Sequence, residues 1–106
     1  LYFNNINNHK IKLPYENINE FNTYHTFVIQ SEERDKLKNY LSKNGVETAI
    51  HYPKPIHLQP AAKKLGYKKN DFNITEAQSK KILSLPINQF LKKYEIIQIS
   101  KLINRF

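Results

Sequence analysis

YHTFVIQSEERDKLKNYLSKNGVETAI, residues 24–50, is the stretch whose reading decides the fold. Tyr24, Thr26, Phe27, Val28 and Ile29 are aromatic or β-branched, side chains that suit a pleated and half-buried surface, so Tyr24 to Gln30 reads as a buried strand. Ser31 follows as a helix N-cap, with Glu32 and Glu33 in the first turn, where carboxylates meet the positive end of the helix dipole. Leu37, Tyr40 and Leu41 share one helical face, and Gly45 after Asn44 supplies a left-handed stop. Val46 to Ile50 predicts a second short strand. The stretch is therefore a β-α-β unit, the best-specified local structure in the chain.

Upstream, Leu1, Tyr2, Phe3 and Ile6 form a short apolar start that reads as the end of a helix whose beginning lies before Leu1. Ile11-Lys12-Leu13-Pro14 is an extended segment closed by proline. Downstream of the β-α-β unit, a short helix is expected at Ala61 to Leu65, stopped by Gly66. Asn73 or Thr75 caps another, with Glu76 or Gln78 three residues on. Leu83-Ser84-Leu85-Pro86 predicts a short strand or extended turn, and Ile96, Ile99, Ile103 and Phe106 make the apolar stripe of a terminal helix. The elements add up to a small α/β sandwich with helices packed on one face of a short sheet.

Composition narrows the function classes. The 106 residues fit one domain with a modest core. No apolar run approaches the ~20 residues of a membrane span. Cysteine is absent, which excludes disulfide scaffolds, thiolate zinc sites and cysteine nucleophiles. The net charge of +8 suits an anionic partner. Yet Arg34 and Arg105 are the only arginines, and the basic pairs Lys63-Lys64, Lys68-Lys69, Lys80-Lys81 and Lys92-Lys93 fall on separate segments. Scattered lysines are the pattern of a solvated face rather than a nucleic-acid groove, and the aromatics fall at core-like positions.

The segment that can carry chemistry is His51-Tyr52-Pro53-Lys54-Pro55-Ile56-His57-Leu58-Gln59-Pro60. Three prolines in eight residues forbid both a helix and a central strand, leaving a stiff loop. His51 and His57 are held at its two ends, and a stiff loop has little ordering entropy to lose on binding. Tyr52 adds a phenol and Lys54 a cation, groups that hydrogen-bond sugar hydroxyls and neutralise phosphate. The competing reading is that His51 and Tyr52 only cap the strand and pack beneath the prolines. Of the other histidines, His25 sits inside the first strand, where packing or a backbone hydrogen bond is its expected job, and His9 lies in a polar tail. No pair has the helical spacing of a zinc protease. With two glycines in the chain there is no glycine-rich phosphate cradle, and no nucleophile elbow is visible.

Several of these segments, in order, form a pattern. His25-Thr26-Phe27-Val28-Ile29 is followed by Glu33-Arg34-Asp35-Lys36-Leu37, then Gly45-Val46-Glu47-Thr48, then the loop from His51 to Pro60. Ser84-Leu85-Pro86-Ile87 and Tyr94-Glu95-Ile96-Ile97 complete the series. From Tyr24 to Phe106 the chain resembles the C-terminal part of DegT/DnrJ/StrS sugar aminotransferases. Its proline-rich loop is similar to that of the branch acting on nucleotide-linked keto-deoxyhexoses, 3-keto sugars especially. Lys92 stands where that pattern has a threonine cap, and Asn73 where a proline is common.

The resemblance implies an α/β fold, the small C-terminal domain of the aspartate-aminotransferase type (fold type I). Residues 1–22 would be the end of an interdomain helix and its extended lead-in, and residues 23–106 the small domain. It also implies a pyridoxal-phosphate enzyme that moves an amino group, commonly from glutamate, to a keto sugar on a nucleoside diphosphate. Such an enzyme is a cytoplasmic homodimer with no nucleic-acid or membrane partner, and serves amino-sugar and surface-polysaccharide synthesis. The family's Schiff-base lysine and pyridinium partner have no matching position here, so catalytic and cofactor-binding residues belong to an absent large domain and the segment alone is inactive. His51 and Tyr52 would face the hexose or cofactor side of the cleft, with Lys54 and His57 serving diphosphate attraction or loop structure. Two other readings stand beside this one: a small basic nucleic-acid-binding module, and a sugar dehydratase of the same family.

Overall fold

Alternation of large apolar residues makes Phe27 to Ser31 the central strand of a three-stranded antiparallel sheet. The computed structural model describes residues 1–106. In chain order it contains α1 (Tyr2–Asn5), β1 (Ile11–Lys12), β2 (Phe27–Ser31), α2 (Arg34–Lys43), two 3₁₀ turns (Ile56–Leu58 and Pro60–Leu65), α3 (Asn73–Ser79), β3 (Ile82–Leu85) and α4 (Lys93–Arg105). The strand order is β1-β2-β3, with Ile11 opposite Ser31, Phe27 opposite Leu85 and Ile29 opposite Leu83. These pairs put one row of apolar side chains on a single face of the sheet.

That face carries the core. Ile29, Leu37, Leu41, Leu83 and Ile103 are wholly buried, and Tyr2, Ile6 and Ile11 join the same cluster. Tyr2, Ile6 and Ile11 thus share the core with the rest of the chain, while residues 15–23 run along the surface, every one of them exposed. The helices α2 and α4 lie against each other over the sheet, Tyr40 meeting Phe106 with ring centroids 5.6 Å apart.

Three local expectations give way. Residues 46–50 do not form a strand of a β-α-β unit; they reach the sheet through one antiparallel bridge, Ala49 to Ser84. The prolines at 53 and 55 lack the N–H groups that would continue a ladder beyond it. Ser31 is not the cap itself but the buried end of β2; its Oγ accepts from Glu33 N–H at 3.2 Å, and α2 begins at Arg34. Neither Asn73 nor Thr75 caps α3, whose flanking residue is Phe72 and whose first turn has no side-chain cap.

The stops are as the sequence reads. Gly45 and Gly66 sit at φ of +77° and +78°, a region open to glycine without strain. At the start of α4, Glu95 Oε2 accepts from Lys92 N–H at 2.7 Å. An ammonium has no lone pair to return the favour, so Lys92 completes only half of a capping box.

Candidate functional site

Strand alternation sends Leu83 and Leu85 to the core and Ser84 to the opposite face of the sheet. On that face an open cleft of about 460 Å³ lies between the ends of β2 and β3 and the segment 47–51. His25, Thr26, Glu47, His51, Ser84 and Asn88 are among its walls. Leu85, Pro86 and Ile87 also line it. Pro86 is itself pinned from behind, its carbonyl accepting from the Tyr2 hydroxyl at 2.8 Å.

His51 stands on this cleft with Nδ1 2.9 Å from Ser84 Oγ. Tyr52 packs edge-on against the His51 ring, centroids 5.6 Å apart, and is 65% exposed. Lys54 is exposed on the same loop, its carbonyl taking a hydrogen bond from Gln59 Nε2 at 3.2 Å. Thr48 borders the cleft with its Oγ1 shielded from solvent and without a hydrogen-bond partner. A buried hydroxyl left unpaired is uncommon in a finished site.

His57 is elsewhere. Its ring is buried against Phe72 at 4.8 Å, and Nε2 meets Glu76 Oε1 at 3.0 Å. The same Oε1 accepts from Asn70 N–H at 2.7 Å. Burial pushes the Glu76 carboxyl up, but the hydrogen bonds from His57 and from backbone N–H groups outweigh it and hold the carboxyl below its ordinary value. His57 therefore ties the proline loop to α3 and does not share the cleft with His51. A separate apolar recess of about 310 Å³ beside it is lined by Ile56, Leu65, Tyr67 and Phe72.

His25 corrects the sequence reading in the other direction. It precedes β2 rather than lying within it, is exposed, and lines the cleft. The aromatics also depart from expectation: Tyr2 and Phe27 are the buried ones, whereas Tyr15, Phe21 and Phe90 are each at least 80% exposed. The basic pairs stay on separate segments at the surface, with Lys81 paired to Glu32 at 2.6 Å.

The family model of DegT/DnrJ/EryC1/StrS aminotransferases matches residues 2–104. The chain belongs to that family. The erythromycin biosynthesis sensory transduction protein EryC1 of Saccharopolyspora erythraea is 43% identical over 70 residues, 66% of this chain and 19% of its own. The dTDP-3-amino-3,6-dideoxy-alpha-D-galactopyranose transaminase of Aneurinibacillus thermoaerophilus is 30% identical over 105 residues, 99% of this chain and 28% of its own. The crystal structure of S. venezuelae DesV superposes with a TM-score of 0.86 at 28% identity, over 91% of this chain and 26% of that one. The chain thus spans between a fifth and little more than a quarter of the relatives it matches. Its fold is that of the small domain of DegT/DnrJ/EryC1/StrS aminotransferases, a three-stranded sheet with helices.

That family is pyridoxal-phosphate-dependent, and the residues present here do not fit covalent attachment of the cofactor. None of the chain's lysines borders the cleft, and neither glycine shapes a phosphate-binding turn there. The cleft instead offers imidazoles, a carboxylate, an amide and hydroxyls, the groups that recognise a polyhydroxylated ligand. No helix is long and apolar enough to cross a membrane.

Proposed function

We propose that this chain is the small domain of a nucleotide-sugar aminotransferase that transfers an amino group from glutamate to a nucleotide-linked 3-keto-deoxyhexose. Pyridoxal phosphate, the amino carrier, sits in a large domain that this chain does not contain. The observation that carries the reading is the polar cleft around His51 on the outer face of the sheet, in a chain of this family. The Aneurinibacillus relative, named for a dTDP-linked 3-amino-3,6-dideoxygalactose and aligned with nearly the whole chain, supports amination at carbon 3.

In this reading residues 1–22 bring the chain in from the large domain, residues 23–106 close one side of the active site, and the enzyme works as a cytoplasmic homodimer in amino-sugar synthesis. His51 and Tyr52 face the hexose. Lys54, exposed beside them, draws the diphosphate, and His57 holds the loop to α3 through Glu76. The test uses the full-length polypeptide that carries this domain, with pyridoxal phosphate, glutamate and a dTDP-linked 3-keto-6-deoxyhexose. His51→Ala and Tyr52→Phe each lower kcat/KM by about tenfold, ~1.4 kcal/mol of transition-state stabilisation, with the melting temperature unmoved. Unchanged kinetics in both variants overturn the assignment of the cleft.

A further inference from the structure

Ser84 is 5% exposed, and His51 lies over it. Its backbone exchanges both hydrogen bonds with Ala49, Ala49 N–H to Ser84 O at 3.1 Å and Ser84 N–H to Ala49 O at 2.7 Å. One residue thus pins the chain two positions before His51 and also meets the imidazole, Oγ to Nδ1 at 2.9 Å. That contact is the only hydrogen bond the Ser84 hydroxyl makes. A hydroxyl carries one hydrogen and two lone pairs. Were Oγ to accept from Nδ1–H, its own hydrogen would find no acceptor within the protein and would depend on solvent in the cleft. Donating to Nδ1 leaves only lone pairs unused, the omission that folded proteins tolerate.

We propose that Ser84 is a positioning residue that donates its hydrogen to His51 Nδ1, fixes the imidazole as the neutral Nε2–H tautomer and presents an N–H donor to the cleft. This rests on the reading of the cleft as the sugar-nucleotide site and names what His51 does there. Its partner is an oxygen lone pair of the ligand, a ketone or phosphate oxygen that can only accept being the best matched, and Nε2 is no proton acceptor in this state. Glu47, on the same segment lining the cleft, is acceptor-only when ionised and suits the hydroxyl hydrogens of a hexose. The site so arranged offers the sugar one donor, suited to a carbonyl oxygen at the oxidised carbon, and one acceptor, suited to its hydroxyl hydrogens.

The tautomer is measurable in the unaltered chain. Long-range proton–nitrogen correlation on the chain with labelled histidine, at about pH 8 where imidazoles are neutral, resolves four rings, His51 being assigned by its loss in His51→Ala. The expected spectrum has His51 with a protonated Nε2 and a bare Nδ1. Ser84→Ala converts it to a mixture of both tautomers, and Ser84→Thr, which keeps the hydroxyl, restores the single form. In the full-length enzyme Ser84→Ala raises KM for the sugar nucleotide about fivefold, and Ser84→Thr recovers it. A protonated Nδ1 in the unaltered chain overturns the positioning role whatever the kinetics. Unchanged kinetics in His51→Ala overturn the reading of the cleft and leave the tautomer assignment standing.

Discussion

Tyr2 joins three parts of the molecule through one side chain. Its ring packs on Phe27 at 4.8 Å and its hydroxyl reaches the carbonyl of Pro86 at 2.8 Å, so the first helix supports the wall of the cleft. Burial pushes the phenol well above its ordinary value of 10.0. An acid whose folded pKa is raised stays neutral in the native state while the unfolded chain gives up its proton, so its contribution is complete below about pH 10 and is lost as pH rises beyond that. Thermal melts between about pH 8 and 11 should fall more steeply for the unaltered chain than for Tyr2→Phe, and parallel curves would contradict the burial argument. Near neutrality Tyr2→Phe should lose about 1 kcal/mol in urea unfolding, the worth of one hydrogen bond. At this scale the sequence is a partial guide. The proline run announces the loop that carries His51, but nothing announces the contact of Ser84 with it, which spans 33 positions, or that of Pro86 with Tyr2, which spans 84. His25 is misplaced because β-propensity extends the strand backwards, whereas the ladder starts at Phe27 opposite Leu85.

Among the elements, those with a local cause are legible and those with a remote cause are not. The α2 helix follows from Leu37 and Leu41 on one face and from the Gly45 stop, all within a dozen residues. Residues 46–50 have strand-forming side chains too, yet whether they pair depends on β3, more than 30 positions downstream, and on the prolines that follow. The asparagine-rich opening looks featureless for the same reason. Its partner is α4: Asn104 Oδ1 accepts from Asn7 N–H at 2.7 Å, Asn104 Nδ2 donates to Asn5 O at 2.8 Å, and Asn8 Nδ2 donates to Ile103 O at 2.8 Å. One side-chain amide uses both its ends to fasten the first turn to the last. Asn104→Ala should cost about 1–2 kcal/mol and free the opening residues to exchange. Asn104→Asp keeps the acceptor and loses the donor, and should recover part of that loss. Amide hydrogen exchange reads the difference: Asn7 N–H should lose protection in Asn104→Ala and keep it in Asn104→Asp. Equal protection at Asn7 in all three proteins would show that α1 is held by its apolar contacts alone.

The molecule as a whole exposes more than a compact domain of its size. Its accessible surface is 8061 Å², where a compact monomer of this mass shows about 6,200 Å². The radius of gyration is 15.4 Å against about 13 Å for a compact chain of this length. The excess of about 1,900 Å² is more than twice the ~800 Å² that one partner gives up in a standard-size protein interface. It includes large apolar side chains: Ile18 and Phe21 on residues 15–23, and Ile56 and Leu65 on the proline loop and the turn after it, are all more than two-thirds exposed. A core of twelve buried residues has little left to offset such exposure. This is the surface expected of a domain that is completed by other polypeptide, which agrees with a chain spanning about a quarter of the relative that aligns with nearly all of it. The chain on its own should therefore bind a hydrophobic dye in its native state and self-associate as its concentration rises. Replacing Ile18, Phe21, Ile56 and Leu65 together by polar residues, none of them in the core, should abolish both effects while leaving the circular dichroism spectrum unchanged. Sedimentation velocity over a hundredfold concentration range decides between the outcomes. A single monomeric species throughout, with no dye binding, would mean that this surface is content in water and that its extent carries no message about a missing partner.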